Sequence, residues 1–275
     1  MGSALAALLA AVVVGTWNGN WFPSGRAEHR AHPDVEAATA AAAAAMLADG
    51  LAKADPGGTN DVVFCLHEMR GPRAASNLVA RIGRRGLRVV SVSGYRRRDR
   101  FDQQQDAIAT TLPVVSARWS RWKVAGKETP PRGYAFASVV VSPAVTANVY
   151  AVHLKSNYGG KKPEDRALNR AKRTRAAAEL VSEAKGPHVI VAGDMNADKW
   201  GKDFAEEKLF SIFEDAGFFN TLARLPADAR GTHPSARYGD SALDYVFVRG
   251  FDARMPTIVP NDGLSDHFAL FVVVE

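Results

Sequence analysis

His188-Val189-Ile190-Val191-Ala192-Gly193-Asp194-Met195-Asn196 is the stretch on which the fold class turns. An apolar run rich in β-branched residues reads as a buried strand. It stops at a glycine, a carboxylate and an amide, residue types that also suit an ordinary turn. The same succession recurs along the chain. Residues 12–16 run into Asn18, 61–66 into His67-Glu68, and 148–154 carry His153 near their end. Asp244 lies in the apolar run 242–248, and Asp266-His267 stand just before the run 268–274. Further strands are expected at 87–92, 106–111 and 135–141. Helices are expected at 33–53 (Ala-rich, opened by Pro33-Asp34), 74–85, 163–184 and 206–216. In the 163–184 segment Ala167, Ala171, Thr174, Ala178 and Val181 share one face, and Arg166, Arg170 and Arg173 form a basic stripe. Trp17 to Gly25 reads as a polar and aromatic loop. Strands and helices alternate with no dividing linker, which predicts a single α/β-type domain over 12–275 with two packed sheets.

Composition narrows the function classes. The 275 residues are 47% hydrophobic and 23% charged, which excludes extended disorder and collagen-like repeats. Lys plus Arg total 35 against 29 Asp plus Glu, a net charge of +6 that favours anionic partners. The single cysteine, Cys65, rules out an intramolecular disulfide and a Cys-rich zinc centre. Residues 4–14 are apolar but too short for a membrane span, and no other stretch is expected to cross a bilayer. They fit either the tail of a secretory signal (residues 1–11, implying a secreted or periplasmic protein) or a lead-in to the first strand of a cytoplasmic one.

Strand ends are where a rigid scaffold aims side chains into a shared cleft. Carboxylates there bind hard cations such as Mg²⁺ through oxygen. Imidazoles move protons near neutral pH, and amides position a water or a phosphoryl oxygen without adding charge. Together they form the kit for metal-assisted phosphoester hydrolysis.

The order of these clusters resembles the endonuclease/exonuclease/phosphatase superfamily, with its deoxyribonuclease I-like fold. The matching segments are Thr16-Trp17-Asn18-Gly19-Asn20, Leu66-His67-Glu68 (His67 standing where the family has Gln), Val152-His153-Leu154, Ala192-Gly193-Asp194-Met195-Asn196, Leu243-Asp244-Tyr245-Val246 and Leu264-Ser265-Asp266-His267. The resemblance implies a four-layered α/β sandwich, two mostly antiparallel sheets face to face with helices outside. It also implies a phosphoesterase dependent on Mg²⁺ or Mn²⁺, with Ca²⁺ a third candidate.

By that resemblance Glu68 holds the metal, shared with Asn18 and Asp266. His267 is paired with Asp244, and His153 works from the opposite side. Asp194 orients or deprotonates the water, and Asn196 and Asn18 contact the phosphoryl group. Arg70, Lys155 and Asn157 are candidate substrate contacts, although Arg70 and Lys155 suit a solvated surface as well. His153 resembles the deoxyribonuclease I, sphingomyelinase and deadenylase branches, since abasic-site endonucleases usually carry Tyr there. Asp244-Tyr245 departs from the inositol-polyphosphate 5-phosphatase pattern.

A nuclease on DNA or RNA is the expected activity. The basic segment 81–100, with Tyr95 inside it, is a candidate nucleic-acid track or a solvated face. The alternatives are a lipid phosphodiesterase using the aromatic loop of Trp17, Trp21 and Phe22 (or Trp119 and Trp122) at a membrane, a phosphatase on a small ester, and a binding module without turnover. Against the last, Glu68, His153, Asp194, Asn196, Asp244, Asp266 and His267 are all present. No obligate protein partner is expected.

Overall fold

The computed structural model describes residues 11–24, 32–97, 100–102, 104–157, 162–236 and 239–275. In chain order the elements are β1 (Val12–Phe22), α1 (Pro33–Ala54), β2 (Asp61–Met69), α2 (Pro72–Ile82), β3 (Arg88–Val92), the short β4 (Arg96–Arg97) and β5 (Arg100–Phe101), β6 (Gln105–Thr110) and β7 (Val114–Arg121). They continue with β8 (Gly133–Ser142), β9 (Val145–His153), α3 (Pro163–Glu183), β10 (Val189–Asp194), α4 (Leu209–Asp215), β11 (Phe219–Asn220), β12 (Asp244–Arg249), β13 (Thr257–Val259) and β14 (Ala269–Val274).

Two six-stranded sheets result. The first runs β13-β14-β1-β2-β6-β3 and the second β11-β12-β10-β9-β8-β7. The pairs β1–β2 and β9–β10 are parallel and the other pairs in both sheets antiparallel. Helices α1 and α2 cover the outer face of the first sheet, and α3 and α4 that of the second, so the expected four-layered sandwich is the observed one. Side chains alternate along a strand with period two. Accordingly Val12 and Val14 join the core between the sheets, while Val13 joins the core under α1 and α2. The same alternation carries Thr16 and Asn18 onto the face that meets the second sheet.

Close packing explains the alanine-rich α1. At Gly50 a Cβ would come within 2.3 Å of the Phe271 ring, so this helix lies almost on the strand beneath it. By length and composition α1 is apolar enough to cross a membrane, which corrects the expectation that no segment reaches that threshold. Here it packs Ala40, Ala43, Ala44, Leu47, Gly50 and Leu51 inward.

Other expectations also change. The loop expected after Thr16 is strand as far as Phe22, and Trp17 and Phe22 are buried at 0% and 2% exposure. In α3 the buried face is Asn169, Arg173, Ala176, Ala177 and Leu180, not the Ala167–Val181 face. Arg173, expected on a basic stripe, is instead buried in an ion pair with Glu207, on the face that also buries Ala176, Ala177 and Leu180. In the basic segment, Arg84 bonds Asn60 O and Arg88 bonds the carbonyls of Thr110 and Leu112. Arg98, Gly25 and residues 4–10 lie outside the described residues, as do the side chains of Arg97 and Arg100.

Candidate active site

Strand register assembles half of the site. Asp194 lies opposite His153 across the parallel β10–β9 ladder and opposite Asp244 across the antiparallel β10–β12 ladder. Three of the candidate side chains therefore sit side by side on one rung of the second sheet. Gly193 makes this packing possible. Its φ is 149°, and a Cβ there would strike Val152 O at 1.9 Å and the His67 ring at 2.7 Å.

The first sheet contributes by a different device. Val62, Phe64 and Leu66 face the helices, so simple alternation would send Glu68 outward as well. Glu68 instead adopts a left-handed φ of 56° within a register shift between Leu66 and Met69. A conformation of this kind costs roughly 1–3 kcal/mol in a non-glycine residue and persists where the surroundings over-determine it. The effect is to turn the Glu68 carboxylate inward. Asn18 then spans the two sheets, its Nδ2 donating to Asp194 Oδ2 at 3.0 Å and to Glu68 Oε1 at 3.4 Å.

Asp194 is the hub. Its Oδ2 also accepts from Asn196 Nδ2 at 2.8 Å, and its Oδ1 from the Asn196 backbone N–H at 2.8 Å. His153 Nε2 stands 3.4 Å from Asp194 Oδ2 and 3.7 Å from Glu68 Oε1. On the other flank His267 Nε2 stands 3.8 Å from Asp194 Oδ2, while its Nδ1 bonds Asp244 Oδ2 at 2.7 Å. Thr232 Oγ1 donates to the same Asp244 oxygen at 2.8 Å and accepts from the backbone N–H groups of Leu243 and Asp244. The Ser-Asp-His turn is stapled to β1. Ser265 Oγ donates to Asn18 O at 2.7 Å and accepts from His267 N, and Trp17 Nε1 donates to His267 O.

Burial and charge set the protonation states. Burial disfavours a charged His267, but the Asp244 and Asp194 carboxylates outweigh it and hold the imidazolium up to about 10. His153 is driven well below the ordinary histidine range, first by burial and then by the cationic Arg132, so its ring is neutral. Burial raises Asp194 above the usual carboxylate range, with His267 pulling it back. Burial raises Glu68 too, against the pull of Gln104, Arg132 and Asn18.

A divalent ion fits this arrangement. Glu68 Oε2 is buried without a hydrogen-bond partner, close to the Asp194 carboxylate that Asn18 links to Glu68 Oε1. Asn18, expected to share the ion, instead turns its Nδ2 to both carboxylates and its Oδ1 to the Asn20 backbone N–H. Hard cations take oxygen ligands of this kind.

Not every expected residue joins the cluster. Asp266 is tied to it through His267, whose Nε2 lies 4.0 Å from Asp266 Oδ1. The Arg70 guanidinium is engaged by Glu36 at 2.5 Å and by Ser24 Oγ. Asn157 accepts from Arg173 at 2.9 Å. Lys155 Nζ bonds Ser156 O at 2.5 Å and is lowered to about 8, chiefly by burial. Asn196 gives its side-chain N–H groups to Asp194 and Leu154 O, so it orients the hub carboxylate.

Sequence reading missed several contributors. Arg132, at a φ of 66°, donates to the carbonyls of His153 and Leu154 and to Gln104 Oε1. His67, buried between the sheets, bonds Asp106 Oδ1 at 2.8 Å and Thr16 Oγ1 at 3.1 Å, and Tyr95 OH donates to Asp106 Oδ2. His67 was visible in the sequence beside Glu68 but without a role, and Asp106 stood at the head of an apolar strand.

Comparison with known proteins places the arrangement. Solved structures share the fold. An endonuclease/exonuclease/phosphatase from Beutenbergia cavernae is 14% identical with a TM-score of 0.65, over 97% of this chain and 72% of its own. TDP2 of D. rerio, solved with a single-strand DNA product, is 14% identical at 0.63, covering 97% and 99%. Sphingomyelinase C from Streptomyces griseocarneus is 19% identical at 0.58, covering 96% and 99%. No curated protein matches by sequence. The family profile for the endonuclease/exonuclease/phosphatase family matches residues 15–267, the span that runs from the start of the Asn18 motif to His267, and the chain belongs to that family.

Proposed function

We propose that the protein is a Mg²⁺- or Mn²⁺-dependent phosphodiesterase that hydrolyses nucleic acid. The observation that carries this reading is the convergence of His153 and His267 on Asp194 from opposite flanks, beside the unpartnered Glu68 oxygen. Glu68, with Asp194, would hold the ion, which when bound supplies positive charge to the phosphoryl oxygens.

The chain's own groups do the rest. Asp194 orients the attacking water, and the neutral His153 ring, 3.4 Å from Asp194 Oδ2, takes its proton. His267, protonated on both nitrogens, keeps one N–H on Asp244 and offers Nε2–H to the leaving oxygen. Asn196 and Asn18 hold the Asp194 carboxylate in place.

Nucleic acid is favoured over lipid by the net charge of +6, by Arg132 beside His153, and by the burial of Trp17, Phe22 and Trp122, which leaves Trp119 alone exposed among the four. An aromatic loop meant for membrane contact would be exposed.

The test is a substrate panel. Plasmid DNA, single-stranded DNA, RNA and sphingomyelin vesicles are assayed with Mg²⁺, Mn²⁺ or Ca²⁺, and with a chelator. Cleavage of a nucleic acid that chelation abolishes is expected, and Glu68→Gln should raise the Mg²⁺ concentration for half-maximal rate at least tenfold. Survival of every nucleic acid, or cleavage of sphingomyelin alone, overturns the reading.

A further inference from the structure

One group of ligating side chains lies at the rim of the site, and two of its three members, His233 and Asp266, take no part in the reaction just described. His233 Nε2 is 3.9 Å from Asp266 Oδ2, and the His233 ring meets the His267 ring edge-on with centroids 4.8 Å apart. One donor atom from each of His233, Asp266 and His267 falls within 4.8 Å of the others. We propose that these three residues form a second cation site, one that takes a transition ion such as Zn²⁺ and, when filled, withdraws the His267 donor from catalysis. The binding half stands on its own; the blocking half rests on the phosphodiesterase reading.

Donor chemistry separates this site from the first. Glu68 and Asp194 offer oxygen, which suits Mg²⁺. Two imidazole nitrogens and one carboxylate suit zinc and its neighbours. The ring positions are also prepared. Asp244 fixes His267 through Nδ1 at 2.7 Å, leaving Nε2 as the ligating atom. A carboxylate behind a histidine in this way orients the ring and raises its basicity toward a metal. His233 is held by its backbone, which exchanges hydrogen bonds with Ser241 in both directions at 2.9 and 3.0 Å. The neighbouring Thr232 O accepts from Phe268 N at 2.7 Å, tying this segment to the one that carries His267.

Ligand bonds near 2.0–2.1 Å in a tetrahedral site put donors about 3.4 Å apart. The three groups must therefore close by about an ångström. Asp266 can supply much of that movement, because its side chain is 52% exposed, and the 30% exposure of His233 leaves a path for the ion. When the ion binds, the Nε2 proton of His267 leaves to solvent. The Asp244 and Asp194 carboxylates that favoured the proton then face the dication in its place.

The experiment is a titration of the whole protein with Zn²⁺ in excess Mg²⁺, followed by calorimetry, with Co²⁺ absorption reporting the coordination. Wild type should bind one ion that Mg²⁺ does not displace. His233→Phe keeps a ring against His267 but removes the ligand. It should weaken Zn²⁺ binding at least tenfold, leave the Mg²⁺-supported rate within twofold, and raise the Zn²⁺ concentration for half-inhibition by the same factor as the affinity. Asp266→Ala, read by binding alone, should show a comparable loss and serves if His233→Phe fails to fold. Equal Zn²⁺ affinity in wild type and the ligand variants, or competition by Mg²⁺ for the same ion, overturns the site. If no phosphoester is cleaved, calorimetry and Co²⁺ spectra still decide the binding half. Zn²⁺ binding without inhibition overturns only the blocking half.

Discussion

The two sheets build their halves of the site by opposite means. On the second sheet His153, Asp194 and Asp244 occupy one rung of three neighbouring strands, and ladder hydrogen bonds alone fix their spacing. On the first sheet regular structure would aim Glu68 away from the site, and the Ser265-Asp266-His267 turn follows no ladder. There the geometry rests on a left-handed residue and on side-chain staples from Asn18, Trp17 and Ser265. The difference teaches where function is vulnerable. A ladder tolerates the loss of one side-chain bond, while a stapled loop depends on each.

The largest effect expected from substitution tests whether both halves are needed. His153→Ala removes the imidazole of the second sheet and His267→Ala that of the first, and each should lower kcat/KM at least about 10²-fold. A rate near wild type for either variant would reduce the site to one half.

Asp244→Asn probes the contact between the halves. Asp244 and Asp194 raise His267, so the cationic ring persists below about pH 10 and is lost above it. Removing Asp244 should lower the rate about tenfold or more and move the alkaline limb of the pH–rate profile down by about 1–3 pH units. An unmoved limb would mean that His267 does not set it.

Ser265→Ala cuts a staple and leaves every reacting group in place. Loss of two buried hydrogen bonds should cost about 1–3 kcal/mol in thermal unfolding and several-fold in kcat/KM. Unchanged values in both assays would show that the turn holds itself.

The smallest effect is expected at Arg70. With its guanidinium on Glu36, Arg70→Ala should leave the rate within about twofold and lower stability by about 1–2 kcal/mol. A tenfold fall in rate would restore it as a substrate contact.

The legible part of this molecule was the part written in local periodicity. The apolar run before Asp194 states where that strand ends, whereas Asn18 read as part of a loop and only the continuation of β1 to Phe22 showed which way it points. The rotation of α3 was not legible, because alanines on both faces of the helix give no direction and Arg173 is buried against Glu207. Nor was the shift of Asn157 and Arg70 toward other partners, since a polar residue beside a motif reads the same whether it meets substrate or a neighbouring side chain.

From its own order of residues the chain determined most of the long strands (β7 excepted), the kinds of functional group and their sequence along the fold, because those follow from side-chain period and residue type. Only the tertiary structure decided that Glu68 turns inward, that Asn18 reaches Asp194 across 176 positions, and that His233 stands at the rim. Such choices depend on how two sheets pack, and contacts between residues so far apart leave no periodic trace in either segment.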